Sequence, residues 1–304
     1  MSITENVRMA RQKINAAAES AGRSGSEVRL LAATKMNGPE AVQEAIRAGV
    51  DICAENRVQE FLSKNAVNAY APCCVHFIGH LQKNKVKYLV GAQALAELGM
   101  NVMGIPGTID NDIGYTDFTI GFDTAVNNVM GEMEKIRDTM RSHDRVAVVE
   151  VMGRACGDIA LWSAMTAPAD IVLTPESPRD WGEAASQLMH NKLMGRFTSM
   201  VIIAEGAGKA EDFAKFVQEH TDVEIKPVVL SYIQRGGAPT AADRMLATRL
   251  GARAVELIHE GVRNRALGIH DNHIVDVDIK DATAHNENYD HSLYELHSKM
   301  NRIY

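Results

Sequence analysis

The chain has 304 residues, 46% of them apolar, and its 32 basic and 39 acidic residues give a formal net charge of −7. This composition is ordinary for a globular protein with room for two domains, and the acidic balance argues against a nucleic-acid-binding surface. No apolar run reaches membrane-spanning length, and the amino terminus lacks the apolar core of a signal peptide, so the expected compartment is the cytoplasm.

Strands and helices are predicted to alternate along most of the chain. A first helix should run from about Glu5 to Ala21, because Ser2 and Glu5 have capping-box spacing and Gly22 follows. The predicted strands span residues 28–34, 50–54, 75–80, 101–106, 145–152, 170–174, 199–205 and 226–232. The predicted helices that follow them span residues 39–48, 56–64, 122–141, 156–166, 178–194, 209–220 and 240–261. This alternation indicates an α/β fold made of parallel-sheet βα units with right-handed crossovers.

The most informative segment is GTIDNDIGYTDFTIGFDTA, which begins at Gly107. It places Asp110 and Asp112 directly after an apolar run that is predicted to end a strand. The carboxyl ends of parallel strands are where α/β sheets bind ligands. A carboxylate held there can accept the proton of an attacking hydroxyl, while a second one faces a metal ion or orients the first. The alternative is an acidic surface turn, because Asp and Asn also favour turns.

From about Tyr88 onward the sequence resembles the phosphofructokinases. The matching segments, in the family's order and spacing, are GAQALAELG (91–99), GIPGTIDND (104–112), GFDTA (121–125), VEVMGRACGD (149–158), IIAEG (202–206), IQRGG (233–237) and ADRMLATRLGARAVELI (242–258). The resemblance implies the family's two-domain sandwich, with residues 91–121 and 235–304 in the remainder of a first domain and residues 122–234 in a second, sugar-phosphate domain. The implied activity is the glycolytic transfer of a phosphoryl group from ATP, with Mg²⁺, to fructose 6-phosphate.

The resemblance also implies roles for individual residues. Asp110 would deprotonate the sugar hydroxyl, while Thr108 and Asp112 would flank the transferred phosphoryl group and its Mg²⁺. The residues implied to hold fructose 6-phosphate are Met152, Gly153, Arg154, Glu205, Tyr232 and Arg235, joined by Arg145 and Lys226 of a neighbouring subunit in a homo-oligomer. These residue types suit the task, because a sugar phosphate needs cations for its phosphate and a carboxylate for its hydroxyls.

Several positions depart from the commonest bacterial pattern. Tyr232 stands where a His is usual, and Lys226 stands where an Arg is usual, so the bidentate fork of an Arg is lost there. Gly107, where pyrophosphate-using relatives carry a Lys, favours the ATP-dependent branch. Arg137 and the segment 168–170, which includes Asp170, fall at the family's allosteric nucleotide site. Part of that pocket would come from amino-terminal residues that this sequence lacks, so ordinary allosteric control is not expected.

The amino-terminal part departs most from the family. Phosphofructokinases open with a strand and a Gly-rich loop for ATP, and they carry a GGDGS loop just before the segment that matches Gly91. Residues 1–87 contain neither loop. The nucleotide half of the site is therefore expected to be missing, and kinase activity is expected to be weak or absent.

Residues 1–90 resemble instead the pyridoxal-phosphate-binding homeostasis proteins, which are related to the alanine racemase barrel. The matching segments are VRLLAATK (28–35), AENRVQE (54–60) and HFIGHLQKNKVKYL (76–89). By this resemblance Lys35 would form an imine with pyridoxal phosphate, and Asn56, His76 and Gln82 would line the same mouth of a partial (βα) barrel. A Lys at the end of a buried strand becomes an imine-forming amine when burial disfavours its charged form. The alternative is a strand-terminal Lys that reaches solvent.

Three functions follow from this chimera-like pattern. They are a sugar-phosphate kinase, or a remnant that binds fructose 6-phosphate; a pyridoxal-phosphate carrier built around Lys35; and an inactive scaffold. The first leads, because its resemblance covers more residues and includes a general base. The histidines near the carboxyl end, His270, His273, His285, His291 and His297, have irregular spacing that favours a solvated tail over a metal site.

Overall fold

The computed structural model of the protein describes residues 2–77, 101–167, 169–282 and 289–301, together with residues 93, 96, 97 and 99. The chain forms two compact units, Met1–Gly99 and Met100–Tyr304. The subdivision of residues 91–304 into two further domains stays a prediction. Among the helices that lie in these described ranges, none is both long and apolar enough to cross a membrane.

The first unit contains a small parallel sheet with helices between its strands. Its elements are α1 (Ile3–Ser20), β1 (Leu31–Ala33), α2 (Pro39–Arg47), β2 (Ile52–Glu55), α3 (Val58–Ala66) and β3 (Cys74–Phe77), with a 3₁₀ turn at Gly25–Glu27. The described strands pair in parallel in the order β1-β2-β3 and form an open sheet. The predicted capping box forms at α1, since the Ser2 hydroxyl accepts from the Glu5 amide and the Glu5 carboxylate accepts from the Ser2 amide.

A buried ion pair holds α3 against this sheet. The Glu55 side chain is fully buried and accepts hydrogen bonds from Lys64 Nζ at 2.8 Å and from the Tyr70 hydroxyl at 3.0 Å. Lys64 Nζ also donates to the Thr34 carbonyl at 2.9 Å and to Glu60 at 2.7 Å. The ammonium group therefore has three oxygen partners in place of water, which is the condition under which a buried charge is tolerated.

The second unit is larger and contains most of the predicted βα units. Its strands are β4 (Met103–Gly104), β5 (Gly107–Thr108), β6 (Ile120–Gly121), β7 (Val146–Val151), β8 (Ile171–Leu173), β9 (Met200–Ala204), β10 (Ile225–Val229), β11 (Arg265–His270) and β12 (His273–Asp278). Its helices are α4 (Phe122–Arg141), α5 (Asp158–Thr166), α6 (Trp181–Leu193), α7 (Ala210–His220), α8 (Ala241–His259), α9 (Ile279–Ala282) and α10 (His291–Met300), with a 3₁₀ helix at Ser231–Arg235.

Its main sheet has four parallel strands in the order β10-β7-β9-β8. Side chains of β7 and β9 alternate between two apolar clusters, one under α4 and α5 and the other under α6 and α7. Both strands are buried throughout. A strand covered on both faces favours apolar residues along its length, as the apolar runs in the sequence show. Glu150, the one charged residue of β7, is tolerated there because its carboxylate accepts from Lys209 Nζ and from the Ala210 amide, both at 2.9 Å. The predicted parallel-sheet α/β fold is confirmed.

The prediction of a solvated carboxyl-terminal tail is correct for His270, His273 and His291, which are exposed, but wrong for His297 and for the segment as a whole, which forms ordered elements. β11 pairs with β4 in parallel and with β12 as an antiparallel hairpin, and α10 follows. On α10, His297 is 3% exposed and its Nε2 lies 2.8 Å from the Ala169 carbonyl oxygen. Leu293 and Tyr294 pack against the cluster under α5. The apolar spacing on a helix capped by Asp290 outweighed the polar composition. His285 lies outside the described residues.

Candidate active site

The predicted base lies in a closed loop between two short strands. β5 and β6 pair in parallel, with Gly107 beside Ile120 and Thr108 beside Gly121, so residues 109–119 form the loop. Asp110 is 4% exposed, and its amide donates to the Thr108 hydroxyl at 3.3 Å. Asp112 follows it and is half-buried. The structure thus places Thr108, Asp110 and Asp112 together at one strand end.

Asn111, which the sequence analysis did not select, ties this loop together. Its side-chain amide donates to the Asp117 carbonyl and to Asp158 Oδ2, both at 3.1 Å. Its Oδ1 accepts from the Thr119 amide at 2.9 Å. The Thr119 hydroxyl in turn donates to the Thr108 carbonyl at 2.8 Å. The signal was available, because Asn111 lies inside the quoted GTIDND block and Asp158 ends the quoted VEVMGRACGD block.

A second set of predicted residues follows the carboxyl ends of β7 and β9. Glu205 Oε1 accepts from the amides of Gly153 at 3.2 Å and of Arg154 at 2.8 Å. The chains approach closely here, because a Cβ atom at Gly206 would lie 2.1 Å from the Arg154 carbonyl oxygen. Parallel neighbours end at the same edge of a sheet, which brings residues 53 positions apart, Met152 and Glu205, to one place.

The 3₁₀ helix after β10 lies beyond the same carboxyl ends of the strands. Gln234 is fully buried, and its Oε1 accepts from the Met152 amide at 3.1 Å. On the same turn the Arg235 guanidinium lies 5.7 Å from the centroid of the Tyr232 ring, a cation–π distance. Met152, Gly153, Arg154, Glu205, Tyr232 and Arg235 therefore lie beyond the carboxyl ends of three neighbouring strands. Gln234, which the sequence analysis did not select, fixes the backbone at Met152.

Arg145 and Lys226 lie at the opposite end of the strands from Met152. Arg145 precedes β7 and Lys226 pairs with Ala147, so both are at the amino ends of their strands. The six residues of β7 lie between Arg145 and Met152, and the seven steps along the strand give a rise of about 23 Å. Both cations bind Glu224, at 2.7 and 3.3 Å, and the hydrogen bond from Arg145 is the main reason that the pKa of Glu224 is lowered. Within one chain they do not join the residues near Met152.

The predicted allosteric residues lie on different elements of the second unit. Arg137 is half-buried on α4. Asp170, at the amino end of β8, accepts from the Arg196 guanidinium at 2.8 Å and from the Met200 amide at 2.8 Å. Pro168 lies outside the described residues. The Asp170 carboxylate is thus already paired within the chain.

The predicted pyridoxal-phosphate residues lie in the first unit. Lys35 follows β1, Asn56 follows β2, and His76 is on β3, so they lie along three neighbouring strands. Lys35 is exposed, whereas Thr34 before it is buried. Burial therefore does not supply the loss of charge that an imine-forming Lys needs, and the residues fit the cofactor poorly. Gln82 lies outside the described residues.

Residues 109–119, which contain the predicted base and are called the base loop, have several carboxylates around them. Burial, first of all, raises the pKa of Asp158 to about 7, and the carboxylates of Glu176, Asp112 and Asp290 raise it further, while the hydrogen bond from Asn111 opposes them. Carboxylate oxygens are the ligands that Mg²⁺ prefers, and it is usually held by one or two of them together with substrate phosphates. The donor set fits a magnesium ion bound by Asp112.

Comparisons with known proteins show which family this chain is similar to. A sequence model of the family described as Phosphofructokinase matches residues 3–258. An ATP-dependent 6-phosphofructokinase of Clostridium tetani is 50% identical over 206 residues, which are 68% of this chain and 65% of that protein. One of Clostridium botulinum (strain Alaska E43 / Type E3) is 44% identical over 269 residues, covering 86% of this chain and 82% of the relative.

The fold is similar to a solved phosphofructokinase. The structure of phosphofructokinase from Saccharomyces cerevisiae matches with a TM-score of 0.59 and 25% identity, covering 81% of this chain and 34% of that one. The family match includes residues 3–87, and none of these findings supports a pyridoxal-phosphate family or a chimeric chain. With more than half of its residues matched and a relative covered over 82% of its length, the chain belongs to the phosphofructokinase family.

Proposed function

We propose that this chain is a 6-phosphofructokinase-type kinase that transfers the terminal phosphoryl group of ATP to fructose 6-phosphate. One observation carries the proposal: the buried carboxylate of Asp110 lies in the same unit as the cradle of Gly153, Arg154 and Glu205. The relatives named ATP-dependent 6-phosphofructokinase support it.

Each group has a task that its chemistry suits. Asp110 accepts the proton of the sugar hydroxyl as the phosphoryl group arrives. Arg154 and Arg235 provide the cations that a sugar phosphate requires, and the Glu205 carboxylate is available to its hydroxyls while it fixes the cradle. A magnesium ion held by Asp112 and the nucleotide would neutralise charge on the transferred phosphoryl group.

Arg145 and Lys226 supply further cations from a neighbouring subunit in this proposal. Their position at the amino edge of the sheet, about 23 Å from Met152 along the strand, prevents them from serving the cradle of their own chain. A homo-oligomer that brings this edge to the cradle of another subunit would use both. Glu224, which binds both cations, would then compete with the phosphate for them.

Residues 1–87 contain no Gly-rich phosphate loop, and phosphoryl transfer depends on positioning of both partners. We therefore expect fructose 6-phosphate to bind more tightly than ATP, and turnover to be slow.

Calorimetry of the purified protein with each ligand tests the proposal, together with an assay for fructose 1,6-bisphosphate. Arg154→Gln should weaken fructose 6-phosphate binding by about 10-fold or more, the usual loss for a charge-assisted hydrogen bond. Arg263→Gln, which changes an exposed Arg of the same unit, should leave binding unchanged. Absence of fructose 6-phosphate binding in the parent protein would contradict the proposal.

Pyridoxal-phosphate binding through Lys35 stays a prediction. Because Lys35 is exposed, we expect borohydride reduction in the presence of the cofactor, followed by peptide mapping, to label it only weakly above other lysines. Stoichiometric labelling at low cofactor concentration would reverse the ranking of the two functions. If neither ligand binds, the third function, an inactive scaffold, remains.

A further inference from the structure

The loop that carries the base depends on one buried side chain. Asn111 lies between Asp110 and Asp112 with φ +57°, is 4% exposed, and bonds to the loop at Asp117 and Thr119. A left-handed backbone is uncommon outside glycine, and Asn tolerates it better than most residues. Asn111 therefore sets both the backbone turn and the closure of the loop.

A third hydrogen bond of Asn111 leaves the loop. It reaches Asp158 Oδ2 at 3.1 Å, across 47 positions of sequence. Asp158 is 3% exposed and is the first residue of α5. A carboxylate buried this deeply is usually protonated, paired with a cation or kept for a function. Asp158 lies at the end of the segment that carries the sugar-phosphate cradle, which points to a functional role.

Asp158 is connected to the cradle through the residues before it. Gly157 donates its amide to Glu176 Oε1 at 2.7 Å, and a Cβ atom at Gly157 would lie 2.5 Å from Thr174 Cβ, so this turn has little freedom. Four residues earlier, Gly153 and Arg154 are fixed by Glu205. The segment 152–158 is thus held at both ends, with Asp158 as the end that faces the base loop.

We propose that Asn111 and Asp158 are a positioning pair that fixes the base loop relative to the sugar-phosphate cradle. The inference rests on the proposed function and adds two residues that touch neither substrate nor metal in it. Such a pair acts on the chemical step, because a misplacement of about 1 Å costs on the order of 100-fold in rate while the cradle still binds.

Two substitutions of Asp158 separate the effect of its hydrogen bond to Asn111 from the effect of its charge. Asp158→Ala removes the acceptor and should lower kcat by about 10- to 100-fold with the KM for fructose 6-phosphate nearly unchanged. Asp158→Asn keeps an acceptor oxygen for Asn111 and should restore most of kcat. Ser163→Ala removes a buried polar group from the same helix, away from the loop, and is the matched control.

Amide hydrogen exchange provides a readout that needs no turnover. The Thr119 amide is bonded to Asn111, so it should exchange about tenfold faster or more in Asp158→Ala, and at the parent rate in Asp158→Asn and Ser163→Ala. An unchanged exchange rate of the Thr119 amide in Asp158→Ala would overturn the positioning pair. If the parent protein is active, a faster exchange in Asp158→Ala together with a parental kcat would also overturn it. An inactive parent with changed exchange contradicts the proposed function while supporting the pair.

Discussion

Two residues of the candidate site have backbone conformations that are uncommon for their type. Asn111 and Arg154 have φ values of +57° and +56°. Each is fixed by buried or half-buried hydrogen bonds, Asn111 through its side chain and Arg154 through its amide to Glu205. Non-glycine residues in this region cluster at functional sites, where neighbouring contacts compensate for their strain. The residue after the base and one residue of the cradle are therefore each held in one conformation.

Asp110 is the carboxylate proposed to act as the base. If it accepts the proton of the sugar hydroxyl, Asp110→Ser should lower kcat by about 100-fold or more, with an unchanged KM for fructose 6-phosphate. Steady-state kinetics measure both. Asp117→Asn, which changes a carboxylate of the same loop that faces His270, is the control. A parental rate in Asp110→Ser would remove Asp110 from the mechanism.

Asp158 makes the stability of the fold depend on pH. Its folded pKa is about 7, whereas an unfolded Asp titrates near 3.9. Between these values the folded state keeps a proton that the unfolded state has lost, so the free energy of unfolding falls as the pH rises. From pH 5 to pH 8 we expect a loss of about 2–3 kcal/mol from this group.

Urea unfolding at the two pH values, in the parent and in Asp158→Asn, isolates this effect, because the other titrating groups are common to both proteins. The parent should lose more stability than the variant between pH 5 and pH 8. Equal losses in the two proteins would show that Asp158 titrates at its ordinary pKa.

The amino end of α4 is capped by a residue of another helix. Gly121 at the N-cap has no side chain, and Asp243 on α8 supplies the acceptor. Its carboxylate accepts from the Gly121 amide at 2.8 Å and the Thr124 amide at 2.9 Å. First-turn amides of a helix need such acceptors, and an anion there is favoured by the helix dipole. This contact joins the helix after the base loop to α8.

Asp243→Ala should therefore destabilise the second unit by about 1–3 kcal/mol, since two partly buried amides lose their acceptor. Urea unfolding followed by circular dichroism measures the change. Asp138→Ala, which removes an exposed carboxylate from α4 itself, should shift the midpoint little. The same midpoint in Asp243→Ala and the parent would mean that water replaces the carboxylate without cost.

Because the chain forms two compact units, a mutation is expected to change the stability of the unit that contains it. The described partners of Lys64, namely Thr34, Glu55 and Glu60, all lie in Met1–Gly99. The base loop and the cradle both lie in Met100–Tyr304. A change that weakens the first unit need not alter the candidate site.

Lys64→Met should leave the buried Glu55 carboxylate without its cation and cost the first unit about 3–5 kcal/mol. Lys13→Met, at an exposed position of α1, is the control. Denaturation followed by peptide-resolved hydrogen exchange should place the loss in residues 2–77, while fructose 6-phosphate binding by calorimetry stays at the parental value. Loss of sugar-phosphate binding in Lys64→Met would show that the two units are coupled.

Local sequence was enough to determine the class of fold and most of its elements. The apolar runs of β7 and β9 predicted buried parallel strands, and the predicted helix 122–141 coincides with α4, Phe122–Arg141. Periodicity and capping residues act within a few positions, so they can be read without knowledge of distant contacts. The motif GTIDND likewise placed Thr108, Asp110 and Asp112 together, because they share one loop.

The contacts that join these segments depend on how the elements pack. The contact between Asn111 and Asp158 crosses 47 positions, and that between Met152 and Gln234 crosses 82. The hairpin of β11 and β12 turns at Asp271 and Asn272, both with positive φ. The burial of His297 depends on its contact with Ala169, which lies 128 residues away. Local patterns determine which residues form a helix or strand, but the partner of a buried polar group is set by how those elements pack, and that geometry exists only in the folded chain.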